Sequence, residues 1–307
     1  ASQARIAAFL TVLAQRGPTV EEITGAARAM RATMRKVTAP ANAMDIVGTG
    51  GDGHGTFNIS TATALVVAAC GVPVAKHGNR SASSRTGTAD VLERLGVKID
   101  IAPATAEGCL AAAGICFMFA PAYHSAMKHV APVRKELGFR TIFNFLGPLS
   151  NPAQVKRYLL GVSAADWTEK LAHVLKALGA EKAWVVHGSD GLDEMTTTGL
   201  THVAMLEAGK VVLREVAPEE IGVARVPLAA LKGGEAAENA AALTALLEGA
   251  KGAFRDVVLL NAAAALVVAD KAVDLAGGAN LAAHAIDSGA AKATLARMAE
   301  VSQRPVP

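Results

Sequence analysis

Three stretches of this chain bring together residue types that can hold a phosphorylated ligand. MDIVGTGGDGHGTFNIST, residues 44–61, spaces Gly48, Gly50 and Gly53 as G-x-G-x-x-G and then opens a helix at Asn58-Ile59-Ser60-Thr61. Glycines leave backbone N–H groups open to an anion, and a helix N-terminus adds the positive end of its dipole. The same spacing marks dinucleotide-binding folds, which need an Asp or Glu about 20 residues further on to hold the ribose hydroxyls. Lys76 fills that position. No carboxylate occurs between Gly53 and Ala89, where His54, Lys76, His77, Arg80 and Arg85 all fall. No G-K-[ST] follows the glycines, which excludes a Walker A loop. The stretch suits a ligand more anionic than a nicotinamide dinucleotide. An ordinary N-cap would explain Asn58 or Ser60 alone, but not the glycines, the cap and the acid-free basic segment together.

KHGNRSASSRTGTAD, Lys76 to Asp90, follows a second strand-like run, and parallel strands deliver their C-terminal loops side by side, so it should converge on the glycine loop. Lys76 offers a point charge there, and Ser81-Ala82-Ser83-Ser84 offers hydroxyls and amides; a solvated loop is the competing reading. GSDGLDE, Gly188 to Glu194, comes directly after the apolar run AWVVH. Turn chemistry accounts for Asp190-Gly191. The pair Asp193-Glu194 is left over, and two carboxylates facing a phosphate loop are what Mg²⁺ on a pyrophosphate needs. His187 reads as a structural residue, and no Cys/His cluster has zinc spacing.

The elements that must position these loops are legible from periodicity. Ala4 to Ala14 and Val20 to Met34 carry apolar residues at helical intervals and form a pair, with Thr19 before the acidic first turn of the second. From Met44 short apolar runs (DIV, VPVA, ICFMFA) alternate with helices over Ala62 to Cys70 and around Ala89 to Leu95, which predicts a parallel sheet covered by helices. His124 to Asn151 interrupts the alternation with a segment that is amphipathic from Met127 to Leu137 and suits packing on the N-terminal pair. YLLGV, a helix Trp167 to Leu178, AWVVHG, HVAML, KVVLREV and Ala-rich helices follow. At 307 residues and 51% hydrophobic, the chain can bury a large core. A net charge of +3 is too small to argue for nucleic acid. Cys70, Cys109 and Cys116 form no C-x-x-C pair and read as buried thiols of a reducing compartment. The most apolar run, Val257 to Ala269, is broken by Asn261 and too short for a bilayer, and the first residues lack the order of a signal peptide, so a cytoplasmic, soluble protein is expected.

GTGGDG, FNIST, KHGNRSASSRTGTADVLERLG, APAYHSAMKHVAPVRKELGFRTIFNFLGPLSNPA, HGSDGLDE, DVVLLNAAAAL and AIDSGAA, in this order, resemble the anthranilate phosphoribosyltransferases across nearly the whole chain. The resemblance implies a fold similar to the nucleoside phosphorylases: a small helical domain (1–41 and 124–154), through which the family forms a homodimer, and a large α/β domain (42–123 and 155–307) with a mainly parallel sheet. It implies a phosphoribosyl pyrophosphate site at Gly48, Gly51, Asp52, Thr56, Asn58, Ile59, Ser60, Thr61, Lys76, His77, Gly78, Asn79, Arg80, Ser81, Ala82, Ser83 and Ser84. Ser60, Asp193 and Glu194 match the family's Mg²⁺ ligands. Gly48, Asn79 and Arg134 match its anthranilate site, and Pro121 and His124 the motif lining its entry channel. The residue types suit these tasks, since Arg134 can fork onto a carboxylate and Asn79 can accept from an amine; a surface ion pair with Glu136 is the competing reading of Arg134. His124-Ser125 replaces the family's usual His-Pro, and the family normally carries further helical turns upstream of ASQARIAAFL. A nucleoside phosphorylase would share the fold and phosphate loops, but GTGGD, KHGNR and the Asn79/Arg134 pair favour the transferase. A nucleic-acid-binding relative would need a broad basic surface, which the balanced charge does not provide. Neither nucleic acid nor a membrane is an expected partner.

Overall fold

The computed structural model describes residues 1–80 and 86–304. The chain starts with two helices, α1 (Gln3–Arg16) and α2 (Val20–Thr33). Thr19 and Glu22 form a reciprocal capping box that sets the start of α2, with the Thr19 N–H donating to the Glu22 carboxylate over 2.9 Å and the Glu22 N–H to the Thr19 hydroxyl over 3.3 Å. Their apolar stripes, Leu10, Leu13, Ile23 and Ala27, are buried.

The alternating part follows as β1 (Met44–Gly48), α3 (Ile59–Ala69), β2 (Val74–Gly78), α4 (Thr88–Arg94), α5 (Pro103–Ala113) and β3 (Ile115–Phe119). Helix α3 begins at Ile59, earlier than periodicity predicts, because polar Ser60 and Thr61 belong to its first turn. Helix α5 has no counterpart among the predicted elements: PATAEGCLAAA has Pro103 in its first turn and Gly114 in the left-handed region at its end, but little contrast between its faces. The interrupting segment holds α6 (Ala120–Tyr123), a 3₁₀ turn over Ser125–His129, α7 (Ala131–Leu137) and α8 (Phe143–Leu149). Then come β4 (Arg157–Gly161), α9 (Trp167–Ala177), β5 (Lys182–Gly188), β6 (Thr201–Glu207), β7 (Lys210–Val216) and the helices α10 (Ala236–Leu247), α11 (Ala253–Val268), α12 (Leu275–Asp287) and α13 (Ala290–Ser302).

The strands form one sheet in the order β3-β2-β1-β4-β5-β6-β7, parallel from β3 to β5 and antiparallel at β6 and β7. A two-residue turn, Ala208-Gly209, with both φ values positive, joins the last two. Helices cover both faces, so the central strands are apolar on both sides: Val74, Leu159 and Trp184 face a core with α3 and α11, while Ala75, Leu160 and Val185 face a second core with α1, α2, α8 and α9. The chain thus has the small helical part and mainly parallel α/β part that its sequence predicts. Among the described residues no helix is long and apolar enough to cross a membrane. Cys109 and Cys116 are buried thiols, and Cys70 is partly exposed.

The chain winds one way from β1 to β2 and β3 and the other way from β4 to β5, so the order reverses between β1 and β4. Open parallel sheets bind ligands at the carboxyl ends of the strands at such a reversal.

Arg31 fastens α2 to the rest. Its guanidinium donates to the carbonyls of Leu149 (2.7 Å) and Leu178 (3.2 Å), at the C-terminal ends of α8 and α9, and to the Tyr158 hydroxyl (3.4 Å). A cation there also meets the negative ends of two helix dipoles. Arg31→Met should therefore lower unfolding free energy by about 1–3 kcal/mol, seen as a lower urea midpoint at unchanged m-value; an unchanged midpoint would show that these bonds contribute nothing net.

Candidate active site

At the reversal, β1 and β4 end in paired glycines, Gly48 opposite Gly161. The backbone of Asp193 lies directly over them. A Cβ on Gly161 would overlap the Asp193 carbonyl, and one on Gly48 would overlap the Asp193 carboxylate. The segment after β5 can therefore cross the ends of β4 and β1 and deliver its acids to the glycine loop. From beneath, Asn261 of α11 clamps Met195, two residues on: its Oδ1 accepts from the Met195 N–H (3.0 Å) and its Nδ2 donates to the Met195 carbonyl (2.9 Å). The polar residue that interrupts the apolar run is thus a fastener of the acidic loop.

Asp193 Oδ2 accepts from the Gly50 N–H at 2.6 Å. The Ser60 N–H, in the first turn of α3, favours the charged form of Glu194. An amide that the sequence offers to phosphate is here bonded to a carboxylate. Burial pushes the Asp193 carboxyl up to about 7, reinforced by the Asp52 carboxylate and opposed by the Gly50 N–H and Arg140. Burial, then Asp193 and Asp52, also raise Glu194 well above the usual carboxylate range, against the pull of Lys76 and the Ser60 N–H. Asp52 also accepts from the His54 N–H within its own loop, at 3.2 Å.

The run KHGNR does not form a single binding edge, because strand alternation divides it. Lys76 shares the face of Val74, is 3% exposed, donates its Nζ proton to the Ile46 carbonyl, and feels Asp45, Glu194 and Asp193 as its opposing charges. His77 shares the face of Ala75 and is 2% exposed; its Nδ1 lies 3.1 Å from the Gly147 carbonyl and its Nε2 3.2 Å from Nε2 of His124, itself buried. Neither ring opens to solvent, so the structure does not expose His124 on a channel wall. Beneath them Asp45, fully buried, accepts from the His77 N–H (3.2 Å) and Asn151 Nδ2 (2.7 Å), tying β1, β2 and the α8 end together. Gly78 ends β2, and Asn79 and Arg80 are exposed. The Asn79 Oδ1 accepts from the Arg80 N–H (2.8 Å), and the Arg80 guanidinium pairs with Asp90 and with Glu93 (2.7 Å) of α4 over the Phe119 ring. Ser81, Ala82, Ser83 and Ser84 lie outside the described residues.

Asn58 stands at the N-cap of α3 but does not cap it. Its Oδ1 accepts from Asn239 Nδ2 (2.9 Å), so Asn58 gives the helix start no side-chain cap. Ile59 is buried, Thr56 pairs with Lys232 in an isolated bridge, and the Thr61 hydroxyl donates to that of Thr88 (3.1 Å). Thr88 drew no attention in the sequence, although GTAD supplies the hydroxyl. Arg134 is half-buried with its guanidinium over the Phe143 ring (5.4 Å to the centroid). Among the described residues it has no carboxylate partner, which removes the ion pair with Glu136. Pro121 is an exposed residue in the first turn of α6. Arg140, absent from the predicted site, donates to the Gly50 carbonyl at 2.8 Å.

Among the described residues no three His, Cys, Asp or Glu side chains gather as a ready metal cage. Asp193 and Glu194, with Asp52 near, nevertheless form a cluster of acids held partly protonated by burial and mutual repulsion, which a divalent cation would relieve, with a ligand's own oxygens completing its shell.

These features define a mainly parallel α/β protein with a glycine loop and a buried carboxylate pair at the sheet reversal. The chain matches the α/β domain of the glycosyl transferase family over residues 40–292 and that family's helical bundle domain over residues 1–34. It is 63% identical to the anthranilate phosphoribosyltransferase of Parvibaculum lavamentivorans, an alignment covering 97% of this chain and 87% of that protein. It is 60% identical to that of Methylocella silvestris, covering 99% and 87%. The crystal structure of the Thermus thermophilus anthranilate phosphoribosyltransferase superposes with a TM-score of 0.94 at 45% identity, over 99% of this chain and 91% of that one. The Saccharomyces cerevisiae enzyme in complex with phosphoribosyl pyrophosphate and Mg gives 0.90 at 29% identity, over 98% and 85%. The chain belongs to the anthranilate phosphoribosyltransferase family.

The buried histidine pair gives a pH signature. Burial, then the neighbouring His124, lower His77 to about 3, whereas an unfolded histidine takes up its proton near pH 6.5. Stability from keeping His77 neutral is thus present above about pH 6.5 and lost as pH falls towards 3. Asp45, raised by burial to about 6, acts in the opposite sense, its share being lost as pH rises through 6. Comparison with His77→Gln isolates the histidine: between about pH 7 and pH 5 the parent should lose stability more steeply, by up to about 1.4 kcal/mol per unit. Parallel urea-midpoint curves for the two proteins would remove His77 as the cause.

Proposed function

We propose that this chain transfers the 5-phosphoribosyl group from phosphoribosyl pyrophosphate to the amine of anthranilate, with release of pyrophosphate, in tryptophan biosynthesis. The observation that carries this reading is the meeting, at one sheet reversal, of a glycine loop, an uncapped helix start and a carboxylate pair. In this reading Gly48, Gly51, Asp52, Thr56 and the Asn58–Thr61 turn embrace the phosphoribosyl pyrophosphate from one side and Gly78, Asn79 and Arg80 from the other, while Ser81, Ala82, Ser83 and Ser84 are assigned to it by the resemblance alone. Lys76 and His77 contribute from below, one as a buried positive charge and the other as a prop under the turn. Asp193, Glu194 and Ser60 would hold Mg²⁺. Bound there, the ion would supply the positive charge that lets two carboxylates and a diphosphate share the same amides, and would stabilise the leaving group. The Arg134 guanidinium, which has no carboxylate partner among the described residues, suits the anthranilate carboxylate, with Gly48, Asn79 and Pro121 around the acceptor path; His124, which the resemblance assigns to that path, is buried against His77.

An arylamine is uncharged at neutral pH, so attack of its nitrogen on ribose C1, with inversion, needs no strong base. The barrier lies in departure of pyrophosphate, and the chain's own contribution is to orient both substrates and to present Lys76 and the loop amides to the growing negative charge. Residues 1–41 and 124–154 would form the helical unit, since α1 packs on α7 and α2 on α8, and the remainder the α/β unit. A second copy would dock on α1, where Phe9 and Val12 are 62% and 61% exposed. Its place would be the cytoplasm, where unpaired thiols stay reduced.

The reaction is read by loss of anthranilate fluorescence with phosphoribosyl pyrophosphate, with and without Mg²⁺; absence of a metal-dependent decay in folded protein would overturn the assignment. Replacing Asp193 and Glu194 together by Ala should lower kcat by roughly a hundredfold or more while the anthranilate Kd moves by less than about threefold. Near-normal turnover at limiting Mg²⁺ would contradict the metal role. Arg134→Ala should raise the anthranilate KM by about tenfold or more with kcat nearly kept, the pattern of a ground-state contact; an unchanged KM would take Arg134 out of the acceptor site.

A further inference from the structure

Arg140 lies in the bend between α7 and α8, in the same segment as Arg134, yet its hydrogen bond runs to a loop 90 residues earlier. Its Nη1 donates to the Gly50 carbonyl at 2.8 Å, and a Cβ on Gly51 would overlap that same nitrogen. Gly51 has φ 78°, so the turn that lets the guanidinium in also favours a residue without a side chain. On its other side Gly50 gives its N–H to Asp193 Oδ2 at 2.6 Å. Gly50 is therefore held at both ends, by an arginine from the helical segment and by an acid from the far side of the sheet reversal.

Gly50 and Gly51 have no side chains with which to fix the direction of their own peptide groups, and Asp52 of the same loop turns to the His54 N–H instead, so left alone these peptides sample many directions. Arg140 is exposed, and one hydrogen bond from an exposed side chain adds little to global stability. Its effect is local, and falls on the peptide groups that face the diphosphate in the function proposed above, on which this inference rests.

We propose that Arg140 is a positioning residue for phosphoribosyl pyrophosphate: it holds the Gly50 peptide so that the glycine loop presents its amides to the diphosphate. The geometry of the donor site then depends on the segment that carries the acceptor-side Arg134.

The test uses the full chain, wild type and the variants Arg140→Ala and Arg140→Lys, with calorimetric Kd for phosphoribosyl pyrophosphate in the presence of Mg²⁺, steady-state kinetics in each substrate, and thermal unfolding. Arg140→Ala should raise both Kd and KM for phosphoribosyl pyrophosphate by roughly ten- to a hundredfold, the range for one hydrogen bond from a charged donor. The anthranilate KM at saturating phosphoribosyl pyrophosphate should stay within about threefold and Tm should hardly move. Arg140→Lys, or free guanidinium ion added to Arg140→Ala, should restore part of the loss. An unchanged donor Kd in Arg140→Ala, or equal losses for both substrates together with a fall in Tm, would overturn the positioning role. A wild type that binds phosphoribosyl pyrophosphate without turning over anthranilate would instead overturn the acceptor reading, and the calorimetric comparison would still decide Arg140. A wild type that binds no phosphoribosyl pyrophosphate would overturn both.

Discussion

Everything at the candidate site depends on two neighbouring strands ending without side chains. Gly48 and Gly161 stand opposite each other at the carboxyl ends of β1 and β4, and the space their Cβ atoms would take is filled by Asp193. A single methyl group at either position would displace the acidic loop from the sheet. The loop cannot retreat easily, because Asn261 holds Met195 by both its N–H and its carbonyl from inside the α11 core. Protein interiors transmit such constraints because they are close-packed. A change of one methylene at the strand ends is therefore felt at the carboxylates, and through Gly50 at the glycine loop.

Charge is balanced by the same economy of space. Lys76, buried under the loop, answers Asp45, Asp193 and Glu194, while Asp52 adds a further negative charge above them. One buried ammonium cannot neutralise so many acids, so burial first and the neighbouring carboxylates second hold Asp193 and Glu194 at raised pKa. The amides of Gly50 and Ser60 offset part of it by turning to the carboxylates. A ligand that brings only negative charge would compete for those amides. One that arrives with a divalent cation would relieve the acids as it binds.

Much of this was legible in the residues themselves. The central strands stand out as apolar runs because the sheet is covered on both faces, and GTGGD and GSDGLDE stand out because their residue types have few other uses. Helix α5 was not legible, since an Ala-rich segment with Gly108 in its middle shows little amphipathic contrast. The division of KHGN was recoverable in principle: residues of a strand alternate, so Lys76 and His77 had to face opposite sides. Asn261 announced itself as a lone amide among apolar neighbours, though not what it would hold. Arg140 and Thr88 could not be read, because their meaning lies in Gly50 and Thr61, which only the tertiary structure brings to them.

Helix α3 starts in a manner that a designer aiming only at durability would correct. Its Asn58 has the right chemistry to close the first turn but is turned away to Asn239. An N-cap is typically worth about 1 kcal/mol, and here that reserve is left undrawn. Selection for thermal endurance alone would favour rotating Asn58 back or replacing its partner, and each such step would seal the amides that a phosphate needs. The open turn marks a position where robustness and catalysis pull in opposite directions, so a stabilised descendant of this protein should gain its added strength elsewhere.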